Sequence, residues 1–466
     1  MIRFGTSGWR ARIAGEFTFD NVRLVAQAAA LYWRDQAGGR PVIVGYDTRF
    51  LSERFASEAA RVLAENGLRV LLSDRAIPTP TVAHAVVREG AIGGVNITAS
   101  HNPPEDNGIK ISGATGAPLL PEATGTIEAL IVNLATNPSP GRAQVSAGAV
   151  EEREFVSAYL QHLERVVDLN SLRQRSLKIV VDVQYGTALG VLDRALADSG
   201  AEVRCLHGWR DVMFGGHRPE PTPETMGELV TAMREEQALL GLATDGDADR
   251  FGVVDRDGSL LSANQFLAVV LYHLLKHRGW RGGVARSVAT THLLDAIAKA
   301  YGCPVLETPV GFKYLGELLS SGQAIFVGEE SGGMSLRGHL PEKDGILAGL
   351  LAAEIIATWQ QPLSSIIEEI HREVGPKWTA RVDTPLTPAM SSRLTERLAA
   401  PPDRIGPFRV QGHSTLDGLK CFFDEDAWIL IRASGTEPLA RLYVEAASEK
   451  TFGTLRDAAQ RHFFES

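Results

Sequence analysis

Cysteine is scarce: the 466-residue chain holds only Cys205, Cys303 and Cys421, spaced too widely for a disulfide framework or a metal cluster. Such a chain suits a reducing compartment, with the three thiols as core filling. No block of Lys and Arg interrupts a net charge of −9, from 47 basic and 56 acidic residues. Sustained nucleic-acid binding is disfavoured, because it rests on a concentrated basic surface. Long apolar runs are missing too. The longest, "GILAGLLAAEIIATW" from Gly345, carries Glu354 and falls short of membrane-spanning length, so it reads as a buried helix. The N-terminal "MIRFGTSGWR" lacks the apolar core of a signal peptide. These absences lead to the expectation of a cytoplasmic chain with no nucleic-acid or membrane partner. No oligomeric state is read from them.

What is present is ordinary for a folded chain, with 44% hydrophobic and 22% charged residues. The length predicts roughly three or four domains rather than one core. "PVIVGYDTR" (from Pro41), "LKIVVDVQYGTA" (from Leu177) and "GGVARSVATTHLLDAIA" (from Gly282) share one design: a β-branched strand, a polar or glycine-bearing loop, then a helix. That alternation predicts α/β layers with mainly parallel strands, in three similar domains. The last hundred or so residues read as a smaller α+β unit. Turn-rich stretches at "ATNPSPGRAQVSAGA" (from Ala135), "DRDGS" (from Asp255) and "REVGPKWTAR" (from Arg372) set expected domains at 1–145, 146–258, 259–372 and 373–466.

The densest chemistry lies in "LATDGDADRFG", from Leu242. Asp245, Asp247 and Asp249 alternate with Gly246 and Ala248, a spacing that lets three carboxylates converge on one hard cation. An acidic turn without a cation would set three like charges against one another. An EF-hand loop needs Gly at its sixth place and Glu at its twelfth, where this chain has Arg250 and Arg256. Three carboxylates with open positions beside an arginine suit Mg²⁺ shared with a phosphate.

"NITASHNPPEDNGIK", from Asn96, puts Ser100 where a strand meets a loop, next to His101 and ten residues before Lys110. An acyl-transfer elbow wants glycines two residues to either side, but Thr98 and Asn102 stand there. Alone, the pair of Ser100 and His101 reads as a polar turn. In "VGEESGGMSLRGH", from Val327, carboxylates Glu329 and Glu330 and the hydroxyl of Ser331 suit vicinal sugar hydroxyls; the plainer reading is a flexible acidic turn. "RASGTEPLARLYVE", from Arg432, offers Arg432, Ser434, Gly435 and Thr436 as an anion cradle, with Arg441 near enough to add charge.

Together, "FGTSGWR", "TASHNP", "DGDADR", "GEESGG" and "RASGTEP", in that order over the full length, resemble the α-D-phosphohexomutases, the family of phosphoglucomutases and phosphomannomutases. The resemblance implies four domains around a central cleft, three α/β and the last α+β. It implies that Ser100 carries the transferable phosphate, and that Asp245, Asp247 and Asp249 hold one Mg²⁺ with an oxygen of that phosphoserine. Glu329 and Ser331 then bind sugar hydroxyls, and the Arg432 loop grips the phosphate that is not reacting. Arg10 and Arg250 stabilise the transferring group. The base that takes the sugar proton is expected among Lys110, His101 and Lys313, the last in "TPVGFKYL", which resembles the corresponding phosphoglucomutase loop. A surface lysine is the plainer reading of Lys313.

The implied partners are hexose phosphates, with glucose 1,6-bisphosphate as activator. Glucose 1-phosphate and glucose 6-phosphate are the expected pair. Glucosamine-type and bifunctional mannose enzymes tend to have His where this chain has Gly333, which sets both behind glucose. A phosphomannomutase, a dual-specificity enzyme, a metal-dependent phosphatase and a non-catalytic sugar-phosphate sensor are the alternatives.

Overall fold

The computed structural model describes residues 2–5, 7–136, 148–424, 426–433 and 439–464. It divides into two compact units. The first comprises Met1–Ala263, Phe312–Val327 and Ser331–Leu363; the second comprises Asn264–Gly311, Gly328–Glu330 and Ser364–Ser466.

The first unit carries two sheets of related design. In one, the strand order is Trp9–Arg12, Asp106–Gly113, Gly93–Ile97, Val42–Tyr46, Val70–Ser73, Val150–Arg153. The central strand Val42–Tyr46 runs parallel to both neighbours, while Asp106–Gly113 lies antiparallel. Val42, Ile43 and Val44 are fully buried, as expected of a parallel strand covered on both faces. Helices Phe19–Arg34 and Ser52–Glu65 supply Val22, Val25, Phe55 and Leu63 to that core. The other sheet runs Leu260–Leu261, Phe251–Asp255, Leu240–Thr244, Lys178–Asp182, Glu202–Leu206, with Lys178–Asp182 parallel to both neighbours.

Strand, loop, helix is thus repeated as the sequence predicts. Two loops at strand ends matter most: the one after Gly93–Ile97, and the one joining Leu240–Thr244 to Phe251–Asp255. Ligands of open α/β sheets collect at such strand ends. The apolar run from Gly345 is helix Gly345–Trp359, buried on nearly every side. Its Asp344 cap accepts from Leu347 N–H, satisfying one donor of the first turn. Among the described residues no single helix is long and apolar enough to cross a membrane.

In the second unit, Gly283–Ser287 pairs in parallel with Val305–Thr308. An antiparallel sheet follows in the order Trp378–Pro385, Leu439–Ala446, Trp428–Ala433, Leu419–Phe422, Gly412–Ser414. Its inner face (Leu419, Cys421, Ile429, Ile431, Leu442, Val444) packs on helix Glu449–Phe464 through Leu455, Ala459 and Phe463. This is the α+β arrangement expected of the C-terminal region.

Candidate active site

Ser100 follows strand Gly93–Ile97 and takes a left-handed backbone, φ 51°, which few non-glycine residues adopt. Strain of that kind persists only where surroundings impose it, and here they do. Ser100 N–H donates to Thr98 Oγ1 (2.8 Å), and the buried Arg49 guanidinium donates to the Ser100 carbonyl (2.5 Å). Arg49 also donates to the carbonyls of Asn102 (2.6 Å), Pro103 (2.7 Å) and Asp106 (3.0 Å). It thereby fixes the loop's backbone from behind. Asp47, on the same turn, pairs with Arg49 at 3.2 Å, and burial pushes its carboxyl up.

The side chain of Ser100 is 1% exposed and donates to Asp245 Oδ2 at 2.6 Å, joining the two loops. Asp245, Asp247 and Asp249 are buried, each offering a carboxylate oxygen within 4.8 Å of the others. Asp245 Oδ1 accepts from the N–H groups of Asp249 and Arg250, both at 3.0 Å, which curls the loop inward. Gly345 lets helix Gly345–Trp359 start against this loop: a Cβ there would lie 2.2 Å from the Arg250 carbonyl oxygen.

Positive groups face the carboxylates. Lys110, opposite Asn96 on the neighbouring strand, donates to Asp247 Oδ2 (2.5 Å) and Asp249 Oδ2 (2.6 Å). Lys343 Nζ lies 3.1 Å from Asp249 Oδ2. Burial alone would lower the Lys110 ammonium, but Asp247 and Asp249 outweigh it and hold its pKa above normal. Burial and its two acidic neighbours drive Asp245 well up, whereas Lys110, Lys343 and Arg250 overcome burial and pull Asp249 well down. Thr79 closes the floor, donating to Asp247 Oδ2 (2.5 Å) while its N–H donates to the Asp247 carbonyl (2.9 Å). Even so, the buried Oδ1 atoms of Asp247 and Asp249 have no hydrogen-bond partner among the described residues. An all-oxygen set with unsatisfied buried anionic atoms fits a hard divalent cation.

His101 Nδ1 lies 3.2 Å from Ser100 Oγ, and burial, followed by Arg250 and Arg10, pushes its pKa well down, so the ring is neutral. Arg10 donates to Asn102 Oδ1 (2.7 Å), and Arg250 pairs with Glu220 (2.6 Å). Lys313 lines one cavity with Lys110, Asp249, Glu342 and Lys343, and loss of hydration lowers its ammonium. Ser100, His101, Lys110, Arg10, Arg250, Lys313 and the three aspartates thus share one unit, as does Ser331.

Glu329 and Arg432 belong to the second unit. Glu329 ends strand Ala324–Glu329 and is 5% exposed. Burial and Glu329 raise its neighbour Glu330, which faces Arg381, Tyr443 and Arg432. Arg432 and Arg441 stand opposite one another on paired strands. Arg381 grips Asp383 through two bonds, at 2.7 and 2.6 Å. Ser434, Gly435 and Thr436 lie outside the described residues. Sequence reading missed Arg49, Thr79 and Lys343. Only Arg49 left a signal, as a charged residue in the short polar turn after the apolar strand Val42–Tyr46.

Family models described as "Phosphoglucomutase/phosphomannomutase, alpha/beta/alpha domain I", "II" and "III" match residues 1–137, 157–258 and 262–374, and one for the C-terminal domain matches 392–461. Three similar α/β domains and a C-terminal domain therefore make up the chain. It is 33% identical over 454 residues to a probable phosphoglucosamine mutase of Methanopyrus kandleri, covering 97% of this chain and 96% of that one. It is 30% identical over 490 residues to a phosphoglucomutase of Komagataeibacter xylinus, covering 96% and 87%. The crystal structure of a putative phosphomannomutase from Thermus thermophilus superposes with a TM-score of 0.86 at 34% identity, over 99% of this chain and 98% of that one.

Proposed function

The chain belongs to the phosphoglucomutase/phosphomannomutase family of intramolecular phosphotransferases, and from that premise we propose that it interconverts glucose 1-phosphate and glucose 6-phosphate. The observation that carries this reading is the Ser100 hydroxyl, buried on a strained backbone and 2.6 Å from one of three converging aspartates. A sugar-phosphate sensor has no use for a hydroxyl so placed. Cytoplasmic location and domain limits at 1–145, 146–258, 259–372 and 373–466 belong to the same proposal; cell fractionation and limited proteolysis test them.

Ser100 carries the phosphoryl group. The incoming sugar hydroxyl oxygen bonds to phosphorus as the bond from phosphorus to Ser100 Oγ breaks, giving glucose 1,6-bisphosphate. The bisphosphate then turns over and returns its other phosphoryl group to Ser100, so catalytic bisphosphate also acts as activator. Asp245, Asp247 and Asp249, with an oxygen of the phosphoserine, would hold Mg²⁺, which when bound draws electron density from the phosphoryl group. Lys110, kept charged by Asp247 and Asp249, neutralises rather than accepts a proton. Neutral His101 beside Oγ and Lys313, with its lowered ammonium, are the candidate bases. Arg10 and Arg250 face the transferring group. Glu329 and Ser331 take sugar hydroxyls, and Arg432, Ser434, Gly435, Thr436 and Arg441 hold the distal phosphate.

The relatives' names give a second reading, because glucosamine, glucose and mannose phosphates are all represented among them. Glucose and mannose differ only at the C2 hydroxyl, so discrimination rests on about 1–3 kcal/mol from one unpaired polar group. A roughly tenfold to hundredfold preference for glucose is therefore expected, with residual mannose activity. Measuring kcat/KM for glucose, mannose and glucosamine 1-phosphates decides between them, and a better rate on either of the last two would overturn the glucose assignment. Peptide mass spectrometry should find phosphate on Ser100, and Ser100→Ala should lose nearly all mutase turnover. Wild-type turnover in that variant would exclude a phosphoenzyme.

A further inference from the structure

Asp417 sits in the turn between strands Gly412–Ser414 and Leu419–Phe422, away from every motif of the sequence. One oxygen of its carboxylate meets two groups of the second unit. Arg432 Nη2 lies 2.8 Å from Asp417 Oδ2, and the Val310 N–H donates to the same oxygen at 2.8 Å. The turn is shaped around that arginine. Gly418, at φ +90°, lies so close that a Cβ would stand 2.3 Å from the Ile431 carbonyl oxygen and 2.7 Å from Arg432 Cγ. Val310 is also seated by its side chain, on a cluster that includes Trp428, Leu430 and Tyr443. Arg432 Nε is buried and has no hydrogen-bond partner among the described residues. The guanidinium is therefore held at one corner, with donor capacity left over for an anion.

We propose that Asp417 is a positioning residue for the distal phosphate: it orients Arg432 and ties it to the Val310 backbone, three residues before Lys313. The inference rests on the reading that Arg432 holds phosphate. A guanidinium on a long, rotamer-rich stem recognises phosphate through a planar fork, so a tether that fixes the plane lowers the entropic cost of each binding event. The distal phosphate is gripped alike in ground and transition states, so loss of the tether acts on KM and spares kcat.

Steady-state kinetics with glucose 1-phosphate, and inhibition by inorganic phosphate, test this on the full chain. Asp417→Ala should raise KM about tenfold and weaken phosphate inhibition to a similar degree, with kcat within about threefold of wild type. Asp417→Asn keeps the volume and one acceptor for Val310, and should show a smaller rise in KM with an unchanged melting temperature. Arg432→Met alone should raise KM at least as far, and adding Asp417→Ala to it should add nothing. If Arg432→Met leaves KM unchanged, the reading of Arg432 itself fails and takes the inference with it. If Arg432→Met raises KM but the Asp417 variants do not, only the inference fails. Additive effects in the double variant, or a fall in kcat with KM constant, would also overturn it.

Discussion

Replacing Arg49 by Met tests whether the Ser100 loop is held from behind. Met fills most of the volume, so the cavity contribution is small and the polar loss decides the outcome. Four carbonyls lose a charged donor, those of Ser100, Asn102, Pro103 and Asp106, all now within 2.5–3.0 Å of the guanidinium. Asp47 also loses its ion pair at 3.2 Å, but its carboxyl is already pushed up by burial and escapes part of the cost by taking a proton. The carbonyls have no such escape. Removing one partner from a buried charged network costs about 3–5 kcal/mol. For a unit of this size that lowers the melting temperature by roughly 4–8 °C.

Activity should fall further than stability implies. Ser100 at φ 51° stores about 1–3 kcal/mol of backbone strain, which the freed loop would release by rotating Oγ away from Asp245. A displacement near 1 Å of a reacting atom costs about a hundredfold in rate. Arg49→Lys keeps the charge but has three donors on one nitrogen, so it should fall between Met and wild type. Scanning calorimetry and the coupled mutase assay read the two effects separately. An Arg49→Met protein that melts within about 2 °C of wild type and keeps most of its kcat would refute the argument.

Asp245→Asn, Asp247→Asn and Asp249→Asn each remove one anionic oxygen at nearly constant volume. Each should abolish measurable Mg²⁺ binding by calorimetry and cut activity by orders of magnitude, while full activity in chelator would rule the site out. A separate set of histidines predicts acid sensitivity. His84 and His162 are held down to about 4, chiefly by burial and then by charges on neighbouring histidines, with His162 bonded to His339 (3.0 Å) and His339 to Asp344 (2.7 Å). The unfolded chain binds more protons than the folded one between these values and the ordinary histidine range. Stability is therefore full above about 6.5 and lost as pH falls towards 4. The urea midpoint should drop between pH 7 and pH 5, less steeply in His84→Asn; identical slopes would exclude the cluster as the cause.

Local signals carried most of what the sequence revealed. Three aspartates alternating over five residues already converge, because one tight loop sets their geometry, and Asp249 and Arg250 N–H groups turning onto Asp245 are contacts within that loop. The repeated strand, loop and helix were legible because side-chain periodicity follows from the local backbone. Partners brought together by the fold were not. Thr79 meets Asp247 across 168 positions and Lys343 meets Asp249 from the far end of the unit, so no spacing betrays either. Arg49 looked like one more polar residue after a strand, since its role lies in four carbonyls whose positions depend on a completed turn. The choice among Lys110, His101 and Lys313 likewise depended on charges supplied by distant chain. Only the folded site shows Lys110 locked between two carboxylates.

The charge balance around Ser100 yields one more expectation. Lys110, Lys343, Arg10 and Arg250 stand against three aspartates and Glu220, so the site is close to neutral when all of them are ionised. A phosphoryl group on Ser100 adds close to two negative charges within reach of Asp245. At about 4 Å, each unit pair interacts by about 4 kcal/mol at an effective dielectric of 20, so the added charge leaves a balanced site strongly negative. A divalent cation arriving with it cancels that added charge. Phosphoserine and Mg²⁺ should therefore favour one another, with the ion binding at least about tenfold tighter to the phosphorylated chain than to the dephosphorylated one. By reciprocity, Mg²⁺ should shift the equilibrium towards the phosphorylated chain by the same factor. Calorimetric titration of both forms measures the coupling directly. Equal affinities would mean that Lys110 and Lys343 already screen the phosphate, and that the aspartates hold their cation independently of the reaction.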